Sequence, residues 1–199
     1  MEMLSIDIVG LIGACSYALD CIEAELVNIT NKHGNRVAYI SVCMAKYWAI
    51  QGDALQDLAM CALLHDNALT QYISEELEKD SVIDLKKDLS EEKTNLHCIY
   101  GEKNITKLPF KTDVSNVILY HHEHADGTGP FQKKWNEIPL FARIIHLSDI
   151  VDIIEIVLNL MIIAGILYVN IFPKIRIVYL IRNVLMLFFM YSQKNPLCV

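Results

Sequence analysis

The sequence predicts an all-α protein, a helical bundle followed by an apolar helical tail. Three observations lead to this prediction. Up to Asp152 the apolar residues recur mostly at three- and four-residue steps, which is the spacing of an amphipathic helix. Glycine and proline, which interrupt helices, are confined to a few connecting stretches. Beyond Glu155 the apolar residues continue without that spacing.

The first elements follow this pattern. Residues 1–16 are mildly apolar and carry two acids but no lysine or arginine, so a first helix is predicted there rather than a signal peptide, which begins with a basic segment. A second apolar stripe runs from Ala54 to Leu64, with Asp53 placed to cap its start. The stripe ends at His65 and Asp66, which places this pair at the inner end of a core helix.

Three later features complete the predicted arrangement. Ser74 to Thr94 is densely charged, which favours a solvated helix pair or loop over a binding surface. Asp126 to Pro130 has turn-forming residues at nearly every position and is predicted to be a loop. Pro139 then opens a last helix that runs to Asp152, because proline is preferred in the first turn of a helix.

The composition limits the function. A chain of 199 residues is long enough for one domain with its own core. Its formal net charge of -7 argues against a broad basic surface for duplex nucleic acid, so a small anionic substrate would need metal ions to attract it. The cysteines form no CxxC pair, which indicates buried thiols in a protein of the reducing cytoplasm. They are Cys15, Cys21, Cys43, Cys61, Cys98 and Cys198.

The charge of the chain changes abruptly at Glu155. The sequence before it holds 23 of the 24 acidic residues, whereas the sequence from it onward holds one acid and four bases. We therefore predict a domain at residues 1–155 and an atypical apolar tail at residues 156–199.

A frameshifted or replaced C-terminus is favoured for the tail. A membrane anchor and a buried helical hairpin are the alternatives; the uncharged run Ile156 to Phe172 suits a span, but a second span would bury Arg182.

Five of the seven histidines form a regular series with two aspartates. Successive groups of the series are separated by 32, 32, 24 and 27 residues. Each interval is about one helix plus a connection, which would bring the side chains to a common bundle interior. A site whose ligands are imidazoles and carboxylates, without a thiolate, favours Fe, Mn or another ion that accepts octahedral coordination over structural zinc. The members are His33, His65, Asp66, His97, His121, His122 and Asp149.

Two groups of the series are adjacent pairs that follow apolar runs. A helix cannot easily bury two neighbouring polar residues unless something in the core binds them, and His65-Asp66 and His121-His122 are both of that kind. Any one of these histidines, taken singly, would most often be an ordinary core or surface residue. Taken together, the pattern predicts two divalent metal ions bridged by Asp66.

Three of these groups lie within short motifs. His33 to Val37 matches the pattern H-x-x-R-V, in which the arginine follows the histidine by three residues. His65-Asp66 is an HD pair, and His97 with Gly101 matches H-x-x-x-G. An HD pair by itself is a weak indication of any family, whereas three motifs in a fixed order are specific.

Two further motifs follow in the same order. His121 to Pro130 is similar to HHE-x-x-DGxGYP, and Ile145 to Asp152 is similar to a hydrophobic helix that carries D-x-x-D. Over residues 16–152 the sequence therefore resembles the HD-GYP domains, a family of HD-type metal-dependent phosphohydrolases that hydrolyse cyclic di-GMP.

The resemblance implies a two-metal site with His65 and Asp66 as its catalytic pair. It also implies two divalent transition-metal ions, which hold a bridging water and direct the resulting hydroxide at a phosphodiester phosphorus. One ion would be held by His33, His65, Asp66 and Asp149, and the other by Asp66, His97, His121 and His122.

The sequence departs from the family pattern at several places that leave the metal set intact. Ile29 stands where some members have a glutamate for a third metal. Leu69 stands where the family motif HDIGK has a lysine that contacts substrate phosphate. The GYP loop is degenerate, because Gly129 is followed directly by Pro130 without a tyrosine. After Asp152 a nonpolar run replaces the stretch that helps the family bind nucleotide.

Other residues are predicted to bind substrate or to support the ligands. Each predicted arginine could instead pair with a carboxylate or cap a helix, and the acidic residues of the loop could serve turn chemistry alone. The predicted substrate-binding residues are Arg36, Arg143, Asp126, Gly127 and Gly129. Glu123 and Asp152 are predicted to support the ligands, and His124 and His146 to lie at the surface or behind the ligands.

The sequence therefore predicts a cytoplasmic bacterial signalling enzyme, a metal-dependent phosphodiesterase of a cyclic dinucleotide, with cyclic di-GMP as the first candidate. Two alternatives stay open. One is an HD phosphohydrolase of another nucleotide or small phosphoester, and the other is a catalytically weak module that binds a cyclic dinucleotide. Duplex nucleic acid is not an expected partner, and association of the tail with a membrane is not favoured.

Overall fold

The computed structural model describes residues 7–27, 32–79 and 91–163. Within these ranges no strand forms, and a single isolated bridge pairs Asp126 with Lys134. The predicted all-α fold is therefore confirmed. The helices are α1 (Ile8–Val27), α2 (His33–Ala45), α3 (Gly52–Leu63), α4 (Leu69–Lys79), α5 (Glu91–Ile105) and α6 (Leu140–Ile163), with short 3₁₀ helices at Lys46–Trp48 and Trp135–Glu137.

The chain divides into two compact units, Met1–His146 and Leu147–Val199. Of the second unit the structure describes residues 147–163, which are helical. Most of the predicted tail lies outside the described residues, and its origin stays a prediction. None of the helices in the described ranges combines the length and the apolar character that crossing a membrane requires.

The first unit is built on the pair formed by α2 and α3. Helix α1 packs against both of them, and α4 packs against α1 and α5. Fully buried side chains from α2, α3 and the loop after α5 form the core, among them Met44, Leu58, Met60 and Ile118. Burying one such side chain contributes about 1.5–3 kcal/mol, so these contacts fix the relative position of the helices.

Helix α2 begins directly at His33 because α1 supplies its cap. The preceding Lys32 has a left-handed backbone and makes no side-chain cap. Asp20 of α1 accepts a hydrogen bond from the Gly34 backbone N–H at 3.2 Å, which satisfies a free donor of the first turn. A Cβ at Gly34 would lie 2.6 Å from Ser16 Oγ, so glycine allows the close approach of α1.

Helix α3 begins two residues earlier than the apolar stripe indicates, at Gly52 rather than Ala54. Gln51 is its N-cap, so the prediction that Asp53 caps the helix is wrong, and Asp53 lies in the first turn. The helix ends at Leu63 and leaves His65 and Asp66 in the turn that leads to α4. Because the pair lies in a turn, the directions of its two side chains are not set by the geometry of a helix face.

A close contact joins this turn to α5. The Asn67 side chain donates hydrogen bonds to the carbonyl oxygens of Leu64, at 2.8 Å, and Gly101, at 3.3 Å. A Cβ at Gly101 would lie 2.9 Å from Ile118 Cγ2 and 3.1 Å from Asn67 Nδ2. The glycine of the H-x-x-x-G motif therefore allows α5 to approach both the turn after α3 and the segment before His121.

Two acidic side chains hold the long connection that follows α5. Glu102 accepts hydrogen bonds from the backbone N–H groups of Asn116, Ile118 and Leu119 at 2.6, 3.1 and 3.0 Å. The apolar run before His121 consequently forms a series of turns rather than a helix.

The second anchor is Asp57 of α3. Its Oδ2 accepts hydrogen bonds from the Lys111 N–H at 2.8 Å, from the Thr112 N–H at 2.6 Å and from the Thr112 hydroxyl at 2.7 Å. Asp57 is buried, so it ties the first part of the connection to the bundle core.

The described cysteines are all free thiols, but they are not all buried. Cys61 and Cys98 are buried, Cys21 and Cys43 are partly exposed, and Cys15 is exposed. The prediction of buried thiols is therefore wrong for Cys15, because it lies on a solvent-facing position of α1.

Candidate metal centre

The Asp66 carboxylate lies among four imidazole nitrogen atoms. Its Oδ2 is 3.9 Å from Nε2 of His33 and 3.3 Å from Nε2 of His65. Its Oδ1 is 3.4 Å from Nε2 of His97 and 3.6 Å from Nε2 of His121. Each carboxylate oxygen thus faces two histidines. We call the His33 and His65 group the Oδ2 side, and the His97 and His121 group the Oδ1 side.

Four separate segments bring these residues together. His33 is the first residue of α2, and His65 lies with Asp66 in the turn after α3. His97 lies on α5, and His121 follows the turns that Glu102 holds. The regular sequence intervals therefore correspond to successive elements that converge on one interior point.

The hydrogen bonds of two rings determine which nitrogen faces Asp66. The Nδ1–H of His65 donates to the Ala62 carbonyl oxygen at 2.9 Å, and the Nδ1–H of His121 donates to the Ile118 carbonyl oxygen at 2.6 Å. In a neutral imidazole the Nε2 atom then carries a lone pair, as it does in histidines that bind metals.

This arrangement fits a divalent metal ion. Lone pairs of imidazole and carboxylate that face each other at 3.3–3.6 Å repel unless a cation or a proton lies between them. The Asp66 ligand atom and those of His33 and His65 lie within 4.8 Å of one another, close enough to surround one ion. These three residues could therefore hold a divalent ion, as the sequence predicts for them.

The pKa shifts of Asp66 and His121 likewise indicate that positive charge is favoured beside the Asp66 carboxylate. Burial would raise the pKa of its carboxyl, but the interactions with His65 and His121 outweigh burial and hold the pKa well below its usual range. Burial likewise would lower the pKa of His121, and its interactions with Asp66 and Cys98 raise that pKa well above the ordinary value.

His122 lies beside the Oδ1 side rather than against Asp66. Its ring centroid is 3.9 Å from that of His121 and 5.2 Å from that of His97. Burial, together with the charge of His121, lowers the pKa of His122 far below its ordinary value. The ring therefore stays neutral, which is the form that binds a metal.

Cys98, which the sequence predicts to be a buried thiol, is also a member of this cluster. Its Sγ is 3.4 Å from Nε2 of His97 and 3.8 Å from Nδ1 of His121. Burial raises the pKa of the thiol, but the two histidines outweigh burial and lower it to about 7. Its place directly after His97 was the one indication in the sequence.

Asp20 is a second residue that the sequence analysis did not identify. It is 6% exposed and lines a small pocket beside the Oδ2 side, together with Ser16, His33 and Asp66. Burial raises the pKa of its carboxyl, and the hydrogen bond from Gly34 opposes that rise. Nothing in the sequence distinguishes it from other acids, since only helix packing places it here.

The predicted ligand Asp149 and the predicted supporting residue Asp152 belong to the second compact unit. Both are buried on α6. Their roles toward the site stay predictions.

The loop from Asp126 to Gly129 is ordered by its own turn chemistry. Oδ1 of Asp126 accepts hydrogen bonds from the N–H of Thr128 at 3.0 Å and from its hydroxyl at 2.7 Å. Gly127 has a φ of 85°, which favours glycine. A Cβ at Gly129 would lie 2.6 Å from the His124 backbone nitrogen. The backbone conformation at Gly127 and the close contact at Gly129 therefore account for both glycines without a bound substrate.

Glu123 connects this loop to the turn that carries His121. It is buried, and its two carboxylate oxygens accept hydrogen bonds from the backbone N–H groups of Phe131 and Lys133, both at 2.5 Å. His146 adds a further contact, since its Nδ1–H donates to the His121 carbonyl oxygen at 2.9 Å. The backbone around His121 is thus held from two directions.

The two predicted phosphate-binding arginines have other neighbours in the structure. The Arg143 guanidinium lies over the Trp135 ring, 4.4 Å from its centroid. Arg36 lies one turn after His33 on α2, and its charge acts on Asp20. His124 is exposed and its ring contacts the Thr128 hydroxyl at 2.9 Å, in keeping with a surface position.

Residues 20–153 match the family model described as "HD domain". The matched segment contains the turn with His65 and Asp66 and every histidine of the cluster. The chain belongs to the HD domain family.

This HD domain is similar to two curated proteins of Vibrio cholerae. It is 34% identical over 125 residues to 3'3'-cGAMP-specific phosphodiesterase 3, a match over 62% of this chain and 26% of that protein. It is 24% identical over 147 residues to 3'3'-cGAMP-specific phosphodiesterase 1, a match over 69% of this chain and 29% of that protein. The matched segment thus spans less than a third of the length of either relative.

One solved structure shares the fold. The crystal structure of a cyclic GMP-AMP specific phosphodiesterase of V. cholerae, V-cGAP3, superposes with a TM-score of 0.60 and 22% sequence identity. The superposition covers 92% of this chain and 50% of that chain.

Proposed function

We propose that this HD domain is a metal-dependent phosphohydrolase of the HD-GYP type that hydrolyses a cyclic dinucleotide. The observation that carries the proposal is the position of Asp66, whose two carboxylate oxygens each face two imidazoles. A carboxylate shared in this way suits a pair of divalent ions. When bound, such ions lower the pKa of a water and neutralise charge on the phosphoryl oxygens.

The protein side chains have distinct tasks in this proposal. Asp66 would supply one oxygen to each metal position, and the hydrogen bonds of His65 and His121 to backbone carbonyls keep their Nε2 atoms directed at the Asp66 carboxylate. Glu102 and Glu123 hold the backbone on either side of His121. Water adds to the phosphorus, the bond to the sugar oxygen breaks, and a linear dinucleotide is released.

The choice of cyclic dinucleotide is part of the proposal. The motifs resemble those of cyclic di-GMP phosphodiesterases, whereas the names of the two curated relatives specify 3'3'-cGAMP. We propose that the chain accepts one of these two. Leu69 is 8% exposed where the HDIGK motif has its lysine, so this position offers no charge to a phosphate. Losing a charge-assisted contact of that kind costs about 1.5–3 kcal/mol, so slow turnover is expected.

The metal content follows from the same ligands. Two transition-metal ions per chain are expected, with Fe or Mn favoured by the imidazole and carboxylate donors. Asp149 as a further ligand and a cytoplasmic location remain predictions from the sequence.

The test is product analysis with the full chain. Protein reconstituted with Mn or, under anaerobic conditions, with Fe would be incubated separately with cyclic di-GMP and 3'3'-cGAMP, and linear products would be separated by chromatography. Bound metal would be counted in the same samples. We expect about two ions per chain and a linear product from one of the two substrates.

Asp66→Asn and Asp53→Asn are matched variants for this test. Both replace one carboxylate with an amide of the same size, but Asp53 is exposed in the first turn of α3. Asp66→Asn should remove both ions and lower turnover by more than about a hundredfold, whereas Asp53→Asn should change neither. A wild-type protein that binds no metal would refute the proposal. Bound metal without any product would favour the alternative of a module that binds the dinucleotide.

A further inference from the structure

Cys98 places a sulfur atom inside the candidate metal centre. It is fully buried, and its Sγ belongs with donor atoms of His97, His121 and His122 to a group in which all ligand atoms lie within 4.8 Å of one another. Cys98 therefore lies among the candidate ligands rather than beside them, since donor atoms of three imidazoles are close to its sulfur.

The spacing of these atoms suits a tetrahedral metal ion. Metal–nitrogen bonds of about 2.0–2.1 Å and metal–sulfur bonds of about 2.3 Å place neighbouring nitrogen and sulfur donors roughly 3.5 Å apart. Sγ of Cys98 and Nε2 of His97 are separated by 3.4 Å. The same Nε2 faces Oδ1 of Asp66 at 3.4 Å, so sulfur and carboxylate approach one imidazole nitrogen.

An orphaned atom of the cluster supports a ligand here. Nε2 of His121, the ring atom that faces Asp66, is buried and makes no hydrogen bond within the ranges that the structure describes. Buried polar atoms without partners are costly, and a bound cation is one way to satisfy them. Cys61, the other buried cysteine, belongs to no such group among the described residues.

We propose that Cys98 is a thiolate ligand of the metal position formed with His97, His121 and His122, and that the sulfur raises the affinity of this position for thiophilic divalent ions such as zinc relative to manganese. The proposal rests on the proposed function, since this position is one of its two metals. On binding, the thiol releases its proton to solvent and the sulfur bonds to the metal. Soft thiolate ligands favour zinc over manganese, whereas the Oδ2 side offers nitrogen and oxygen donors.

Cobalt(II) gives a direct measurement of the thiolate bond. The full chain, freed of metal, would be titrated with Co²⁺ while absorbance is recorded. Bands in the visible report bound cobalt, and a thiolate-to-cobalt charge-transfer band in the near ultraviolet reports a Co–S bond. We expect the charge-transfer band in the wild type and in Cys61→Ser, and its loss in Cys98→Ser with the visible bands retained.

A metal competition gives the second readout. The affinity of this position for Zn²⁺ relative to Mn²⁺ should fall at least about tenfold in Cys98→Ser and stay unchanged in Cys61→Ser. If Cys98→Ser fails to fold, Cys98→Ala takes its place. The wild-type spectrum tests the proposal even without a variant, because bound cobalt without a charge-transfer band would already overturn it.

The outcomes separate this proposal from the proposed function. Bound cobalt without a charge-transfer band, or a band that persists in Cys98→Ser, overturns the role of Cys98 and leaves the two-metal enzyme in place. A charge-transfer band lost in Cys98→Ser, from a protein that hydrolyses neither dinucleotide, supports the role of Cys98 and overturns the function. A wild-type protein that binds no cobalt overturns both.

Discussion

The two sides of Asp66 have the same imidazole chemistry but different support. On the Oδ2 side, His33 depends on α2, whose first turn is capped by one hydrogen bond to Asp20 of a neighbouring helix. On the Oδ1 side, Glu102 accepts three backbone hydrogen bonds from the segment before His121, and His146 holds the His121 carbonyl. One side is thus positioned by helix packing and the other by side-chain hydrogen bonds to the backbone around His121.

The comparison shows that one carboxylate faces two groups of candidate ligands that differ in composition. Asp66 presents an oxygen to each side, so the sides share a charge while their remaining donors differ. The Oδ1 side contains the thiol of Cys98, which the Oδ2 side does not. A change on one side should therefore be separable from a change on the other, and four predictions test this.

The largest effect is expected from removing one histidine of either side. His33→Gln should lose the ion of the Oδ2 side and His122→Gln the ion of the Oδ1 side, each leaving about one ion per chain. Turnover should fall by more than about a hundredfold in both variants, because in the proposed mechanism both ions would act on the same phosphate. Metal analysis with an activity assay checks this. Loss of both ions in either variant would show that the sides are not separable.

The next effect concerns the anchor of the Oδ1 side. Glu102→Gln weakens the hydrogen bonds to the segment before His121 and should cost about 1.5–3 kcal/mol of unfolding free energy. Asp57→Asn is a matched control, since Asp57 also accepts three hydrogen bonds from the same connection but belongs to neither group of candidate ligands.

Denaturant unfolding and metal titration distinguish the two variants. Both should be destabilised by similar amounts, but only Glu102→Gln should weaken metal binding at the Oδ1 side. Equal metal affinities in the two variants would contradict the assigned anchor role.

Gly101→Ala tests the close contact between α5 and the turn that carries Asp66. The added Cβ would lie 2.9 Å from Ile118 Cγ2, so the expected destabilisation is about 1–3 kcal/mol despite the better helix propensity of alanine. Gly13→Ala is the control, because the nearest atom to its added Cβ, Leu63 Cδ1, is 4.0 Å away and a helical alanine stabilises by about 0.5–1 kcal/mol. Thermal unfolding should move in opposite directions for the two variants.

The smallest effect is expected from Asp126→Ala. Its carboxylate bonds Thr128 within an exposed turn, so its loss should cost about 0.5–1.5 kcal/mol and leave both metal positions filled. The Michaelis constant for the cyclic dinucleotide separates this from the substrate-binding role that the resemblance implies. A large increase in that constant, at unchanged stability, would favour the substrate role.

Much of the site could be predicted from the sequence because its members are polar residues in apolar surroundings. His65-Asp66 and His121-His122 each interrupt an apolar run, which has few explanations other than a shared ligand. The helical periodicity around them likewise predicted the all-α fold, since spacing along one chain reports directly on the face that a helix buries.

The remaining features depend on which segments pack together. Cys98 looked like a core thiol, because sequence does not show that His121 comes within 3.8 Å of its sulfur. Asp20 and Glu102 looked like ordinary acids, because their partners lie 14 residues or more away along the chain. The cap expected from Asp53 was wrong, since the helix begins two residues earlier than predicted, at Gly52.

The sequence by itself determined the types and order of the candidate ligands and the helical class, because these follow from local composition and period. Only the tertiary structure decided that one oxygen of Asp66 faces His33 and His65 and the other His97 and His121. It also decided that a thiol joins the second group. The physical reason is that a metal centre is defined by distances of a few ångströms between residues far apart in the chain, and those distances are fixed only when the helices pack.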